Sequence, residues 1–149
     1  WRSQQEASAT YLKVAEISNI VIGNDDEFSV MAGDYNEGIN LAQKLSKSSA
    51  SIVIYKMGER GSITFTENKK IKTGIFQVDA LKPTGAGDAF MGVFVSSLLN
   101  KKSIKNSVIY GSAAAAIVVT KVGCSPAMPN IEELELFLKE NMISSFKEN

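Results

Sequence analysis

Apolar positions along this chain follow two periods, and the switches between them outline its elements. Ile17 to Gly23 and Ser51 to Lys56 are short, mostly apolar runs, which predict two buried strands. Ser62 to Thr66 alternates polar and apolar side chains, so a half-exposed strand is expected after the turn Met57-Gly58-Glu59-Arg60-Gly61. Ile71 to Val78 predicts a further strand beyond the Asn68-Lys69-Lys70 turn. Elsewhere the pattern is helical: Arg2 to Ala15, a helix begun at Asn24 and running through Met31, then Gly87 to Asn100, Ile104 to Lys121 and Ile131 to Asn141. The last of these puts Ile131, Leu134 and Leu138 on one core-facing stripe. Asn24/Glu27, Asp34/Glu37 and Asn130/Glu133 each fit a capping box, in which each residue's side chain satisfies the other's backbone amide. Strands followed by covering helices make an α/β architecture.

Composition changes this picture on the side of chemistry. The chain has 149 residues, one domain's worth, and 44% apolar with 21% charged residues is ordinary globular composition. Basic and acidic residues stand at 16 each, so no basic stripe points to nucleic acid. Cys124 is the single cysteine, which excludes disulfides within the chain and cysteine-cluster metal sites and fits a reducing cytoplasm. Histidine is absent, which removes the Ser-His-Asp triad, histidine bases and histidine ligands together. A base from this chain is therefore expected to be a carboxylate, and a metal a hard, oxygen-liking ion such as magnesium. The longest apolar run, around Ala113 to Val119, is too short to span a membrane. Trp1 is not a natural first residue, so upstream residues are expected to be missing.

The densest candidate chemistry lies in Lys82-Pro83-Thr84-Gly85-Ala86-Gly87-Asp88-Ala89-Phe90. Small residues leave backbone amides uncovered where a helix begins, and the first amides of a helix attract anions. Asp88 sits in that first turn. A carboxylate beside an anion cradle repels a merely bound phosphate, but makes sense if it acts on the group attacking that phosphate. The plainer reading is a glycine turn with a dipole-partnering aspartate. An acid facing solvent, or amides already occupied by the protein, would favour that scaffold reading. Gly111 and Ser112 with Ala113 to Ala116 predict a close approach, to a neighbouring helix or to a flat ligand such as a purine.

In this order the motifs resemble the C-terminal half of the ribokinase-like (PfkB-type) carbohydrate kinases, over essentially the whole chain. The signature Thr-Gly-Ala-Gly-Asp-Ala-Phe stands at Thr84 to Phe90, Asn-x-x-Glu at Asn24 and Glu27, and Gly-x-x-Gly at Gly58 and Gly61. The helix from Gly111 runs into Gly123-Cys124-Ser125-Pro126-Ala127-Met128-Pro129. The wording of Leu81-Lys82-Pro83 and of Cys124 to Pro129 is most similar to kinases acting on 5-dehydro-2-deoxygluconate. The resemblance implies a ribokinase-like layered sheet covered by helices, of which 1–149 would be the C-terminal portion, without the N-terminal sugar-binding half. It implies Asp88 as catalytic base and the amides of Gly85, Ala86 and Gly87 as anion hole. Lys56, Gly58, Gly61 and Ser112 would line the nucleotide site. Asn24 and Glu27 would act through water on magnesium. ATP, Mg2+ and a small sugar are the implied ligands, with no nucleic acid and no membrane.

One position departs from the family. Lys82 stands where an aspartate usually helps seat a monovalent cation, near positions matching Lys121 and Gly123, and its ammonium should weaken or replace that site. A chain lacking the sugar half is expected to be inactive alone and, with an open sheet edge, to self-associate as a homo-oligomer. Rival expectations are a kinase of fructose, 2-keto-3-deoxygluconate or a nucleoside, a non-catalytic nucleotide-binding module, and a ribokinase-fold dehydratase acting on a damaged nicotinamide cofactor.

Overall fold

In the computed structural model, which describes residues 4–148, the chain divides into two compact units, 1–72 with 147–149 and 73–146. The first unit is built on a parallel strand pair. α1 (Gln4–Glu16) leads to β1 (Ile20–Asn24), then α2 (Asp25–Ala32) and α3 (Gly38–Ser48) cross over to β2 (Ile52–Lys56). β1 and β2 run parallel, with Ile20 opposite Ile52 and Asn24 opposite Lys56. A parallel pair needs such a crossover, because a tight turn can only reverse the chain. β3 (Ser62–Phe65) returns antiparallel to β2, with Val53 opposite Phe65 and Lys56 opposite Ser62. β4 (Lys70–Thr73) and β5 (Phe146–Glu148) complete a sheet ordered β1-β2-β3-β4-β5.

The core of this unit joins Phe28, Ala42 and Leu45 of the crossover helices to Val53, Tyr55, Ile63 and Phe65 on one face of β2 and β3. Phe28 and Tyr55 meet with ring centroids 5.3 Å apart. β3 differs from expectation: all four of its residues are buried, Thr64 completely, so its polar alternation does not mark a solvent face. β1 begins later than its apolar run, because Ile17 caps the turn after α1 and is 85% exposed. The Asp34/Glu37 box does not form. Asp34 accepts from Asn36 N–H instead, in a short 3-10 turn, and Glu37 receives the Asn40 side-chain amide. The helix that follows, α3, buries Ala42, Leu45 and Ser46 and has no capping side chain to announce it.

The second unit is helical. α4 (Ala86–Leu99), α5 (Ile104–Val119) and α6 (Ile131–Glu140) enclose Ala89, Ala113, Ala116, Ile117, Val118 and Leu134. The strand expected over Ile71 to Val78 stops at Thr73. Beyond it Gly74 N–H donates to Ser145 O, Ser144 N–H to Ile75 O, and Phe76 forms an isolated bridge with Ile143. Gly74 is required there, since a Cβ would collide with Ser144 and Ser145. On α6, Leu134 is buried but Ile131, one position past the Asn130 cap, is 61% exposed and leaves the expected stripe. Among the described residues no helix is long and apolar enough to cross a membrane. Arg2 and Ser3, where the first helix is expected to begin, lie outside the described residues.

Candidate functional site

α4 starts at Gly85, whose φ of 90° lies in the left-handed region and which offers no capping side chain. Glycine is needed there for its backbone conformation and for room, because a Cβ would sit 3.3 Å from Val118 Cγ1 and 3.4 Å from Cys124 Sγ. The first-turn amides have no carbonyl a full turn below to receive them. Ala86 N–H nevertheless donates to Pro83 O at 3.3 Å, closing the preceding turn, so one of the three expected anion-hole residues has its amide engaged. The helical ladder begins with Ala89 N–H to Gly85 O at 3.0 Å.

Asp88 is exposed, contrary to the expectation for a working acid. The reason lies in the faces of α4. Ala89, Phe90, Phe94 and Ser97 are buried, while Asp88, Met91, Ser96 and Leu99 recur at helical spacing on the outer face. The inner face of α4 presses on α5 so closely that a Cβ at Gly111 would lie 2.9 Å from Phe90 O. The close approach expected of the small residues is therefore made to a helix at Gly111. Ser112 is half-buried, like Ala115 one turn on. Leu81 and Lys82 are tied by their amides to Val119 O, at 2.8 and 3.2 Å, which fixes the approach to Gly85 at the end of α5. Lys121 donates to Glu133 at 3.0 Å, and with the Asn130 amide this holds the Glu133 carboxyl below its usual range.

In the first unit, Asn24 and Glu27 form the expected capping box: Asn24 N–H donates to Glu27 Oε2 and Glu27 N–H to Asn24 Oδ1, both at 2.7 Å. A Cβ at Gly23 would lie 3.2 Å from Glu27 Oε2 and 3.1 Å from the Phe28 ring, so glycine keeps room for that carboxylate. Lys56 ends β2 opposite Asn24 and is half-buried. The following turn takes positive φ at Gly58 (57°) and Gly61 (80°) and is closed by Met57 N–H to Gly61 O at 2.8 Å. β-Pairing thus brings Asn24, Glu27, Lys56 and the glycine turn to one end of β1 and β2. Gly85 to Asp88 and Ser112 belong to the other unit.

Two features here escape the sequence. Arg60 Nη2 donates to Asp25 Oδ2 at 3.1 Å, tying the glycine turn to the start of α2. Tyr55 is 7% exposed, and burial, with Asp25 and Tyr35 nearby, pushes its phenol above the ordinary 10.0. The lone arginine of the turn and the run Asp25-Asp26-Glu27 were the visible signals of the first, but their meeting depends on strand pairing. The fit to magnesium is limited and specific. Among the described residues no three acids, cysteines or histidines cluster to hold a metal directly. Glu27 is exposed and spends one oxygen on the cap, which leaves the other open for a contact through water to a hard ion such as magnesium.

The sequence profile describing the pfkB family carbohydrate kinases matches residues 1–137. A 5-dehydro-2-deoxygluconokinase of Halalkalibacterium halodurans is 35% identical over 144 residues, covering 95% of this chain and 44% of that protein. Ribokinase from Thermotoga maritima superposes with a TM-score of 0.80 at 32% identity, covering 86% of this chain and 44% of its own. A fructokinase double mutant from Vibrio cholerae, in a form with bound fructose, ADP and potassium, superposes at 0.81 with 25% identity, covering 93% and 46%. The chain spans less than half the length of these relatives.

Proposed function

Because the chain belongs to the pfkB family of carbohydrate kinases, we propose that the complete protein moves the γ-phosphoryl group of ATP to a hydroxyl of a sugar or sugar acid, with 5-dehydro-2-deoxygluconate as acceptor. The observation that carries this reading is the start of α4: a left-handed glycine, no side-chain cap, and an acid in the first turn. Asp88 takes the proton from the acceptor hydroxyl as its oxygen attacks phosphorus. The amides of Gly85, Ala86 and Gly87 receive the charge that grows on the transferred group, the long Ala86 bond to Pro83 being the one that yields. Lys56, Gly58, Gly61 and Ser112 would contact the nucleotide, and Asn24 and Glu27 would act on magnesium through water. Magnesium held there would supply positive charge to offset that of the nucleotide's phosphates.

Asp88 is exposed, and a carboxylate open to water becomes a base only when an acceptor is laid on it. We place the residues that do so in the part of the relatives that this chain does not span. The activity is placed in the cytoplasm, in keeping with a single cysteine. Lys82 makes potassium dispensable, so replacing potassium by a larger cation leaves turnover of the full-length enzyme unchanged; a potassium requirement refutes this.

The test is the full-length protein with ATP and a panel of sugars and sugar acids, read as ADP release. Release with 5-dehydro-2-deoxygluconate well above the rest supports the reading. Preference for ribose or fructose moves the acceptor toward the solved structures that the chain resembles. No sugar-dependent release overturns the kinase reading.

A further inference from the structure

β1 and β2 keep each other in register only as far as Asn24 and Lys56. Beyond that pair lie the two loops that carry the candidate nucleotide and magnesium residues of this unit: the start of α2 and the turn from Gly58 to Gly61. The ladder brings the two loops to the same end of the sheet and stops there, at Asn24 opposite Lys56 and Lys56 opposite Ser62. The turn closes on itself, through Arg60 N–H to Met57 O at 3.1 Å and Gly61 N–H to Gly58 O at 3.0 Å. Its first glycine stands in open space, with nothing within 4 Å of where a Cβ would be. Packing therefore does not set its position at Gly58.

A side-chain bond does. Arg60 Nη2 reaches Asp25 Oδ2 at 3.1 Å, joining residues 35 apart in sequence. Asp25 is the first residue of α2, next to Asn24, and Arg60 is next to Gly61. The charges suit the join. Asp25, Asp26 and Glu27 share the first turn of α2, which favours them by its dipole but sets them against one another and against a phosphate. Arg60 is the cation ion-paired to that turn among the described residues, and a planar guanidinium holds a carboxylate in a defined direction.

We propose that Asp25 and Arg60 form a latch that sets the glycine turn against the start of α2, which makes both of them positioning residues for the nucleotide and magnesium side of the reaction. This rests on the phosphoryl-transfer reading above. Neither residue is assigned to touch the nucleotide. The latch acts by keeping Gly58 and Gly61 at a fixed distance from Asn24 and Glu27, so that one Mg·ATP meets both. With the pair partly open to water, its side chains 69% and 24% exposed, the effect is modest and falls on binding.

The experiment uses the full-length protein with Arg60→Ala, Asp25→Asn, the double variant and Arg60→Lys. Each single removal raises KM for ATP by about two- to fivefold with kcat nearly unchanged. The double variant is no worse than either single, and Arg60→Lys recovers only part of the loss, because an ammonium keeps the charge without the planar fork. In parallel, hydrogen exchange without substrates shows faster exchange at the Arg60 and Gly61 amides in both single variants, with α4 unaffected. Additive losses in the double variant overturn the latch, because Arg60 then meets the nucleotide itself. Unchanged exchange at Arg60 and Gly61 overturns it as well. The exchange measurement needs no turnover, so a full-length protein that transfers no phosphate counts against the kinase reading while exchange still decides the latch.

Discussion

Asp88 and Asn24 occupy similar ground, each beside the first turn of a helix, and their environments separate what each can be asked to do. Asp88 is exposed on the outer face of α4, so Asp88→Asn in the full-length protein leaves the melting temperature unchanged. If it is the base, kcat falls by about 10²- to 10⁴-fold while ATP affinity holds, checked by steady-state kinetics and calorimetric binding. Asn24 shares its cap geometry with Asn130, which has no expected ligand. Removing either side chain as Asn24→Ala or Asn130→Ala costs about 1 kcal/mol in denaturant unfolding. Only the first shifts the magnesium concentration needed for half-maximal rate, and an equal shift for both leaves Asn24 a cap alone. Tyr55 adds a pH signature. Burial raises its phenol above 10.0, so the folded state holds the proton more tightly than the unfolded chain does. Its contribution is whole below pH 10 and is lost as pH rises through the raised value. Tyr55→Phe removes that alkaline loss, seen as a flatter stability curve above pH 10.

At the scale of elements, the helix starts follow local rules and the helix faces do not. Asn24/Glu27 and Asn130/Glu133 cap as their spacing requires, because the partners lie within one turn. The third such pair fails, since Asp34 reaches Asn36 N–H first and the chain takes a tighter turn. The α4–α5 contact depends on Gly111, whose Cβ position lies 2.9 Å from a backbone oxygen that cannot rotate away. Gly111→Val therefore destabilises by about 1–3 kcal/mol through overpacking, measured by urea unfolding. Ser112→Ala, one residue on at a half-buried position, changes stability little; if it raises KM for ATP, its assignment to the nucleotide side gains support.

At the scale of the whole molecule, the chain covers less than half of its relatives, and among the described residues β1 pairs on one side only, at the edge of its sheet. An open edge of parallel strand is a template for association. The purified 149-residue chain is expected to elute larger than a monomer on sizing and to release no sugar-dependent ADP; a monodisperse monomer, or measurable turnover, contradicts the proposed division of labour. The sequence alone determined what short-range physics controls: where the capped helices start, that strands and helices share the chain, and that a glycine-rich turn opens α4. Each follows from residues within a turn or a pleat of one another. Only the tertiary structure decided that all of β3 is buried, that β4 ends where Gly74 meets the C-terminal tail, that Asp88 faces out, and that Arg60 reaches Asp25. Those outcomes depend on which faces of distant elements meet. Burial and pairing between distant residues are set by the packing of whole elements, which a local pattern does not encode.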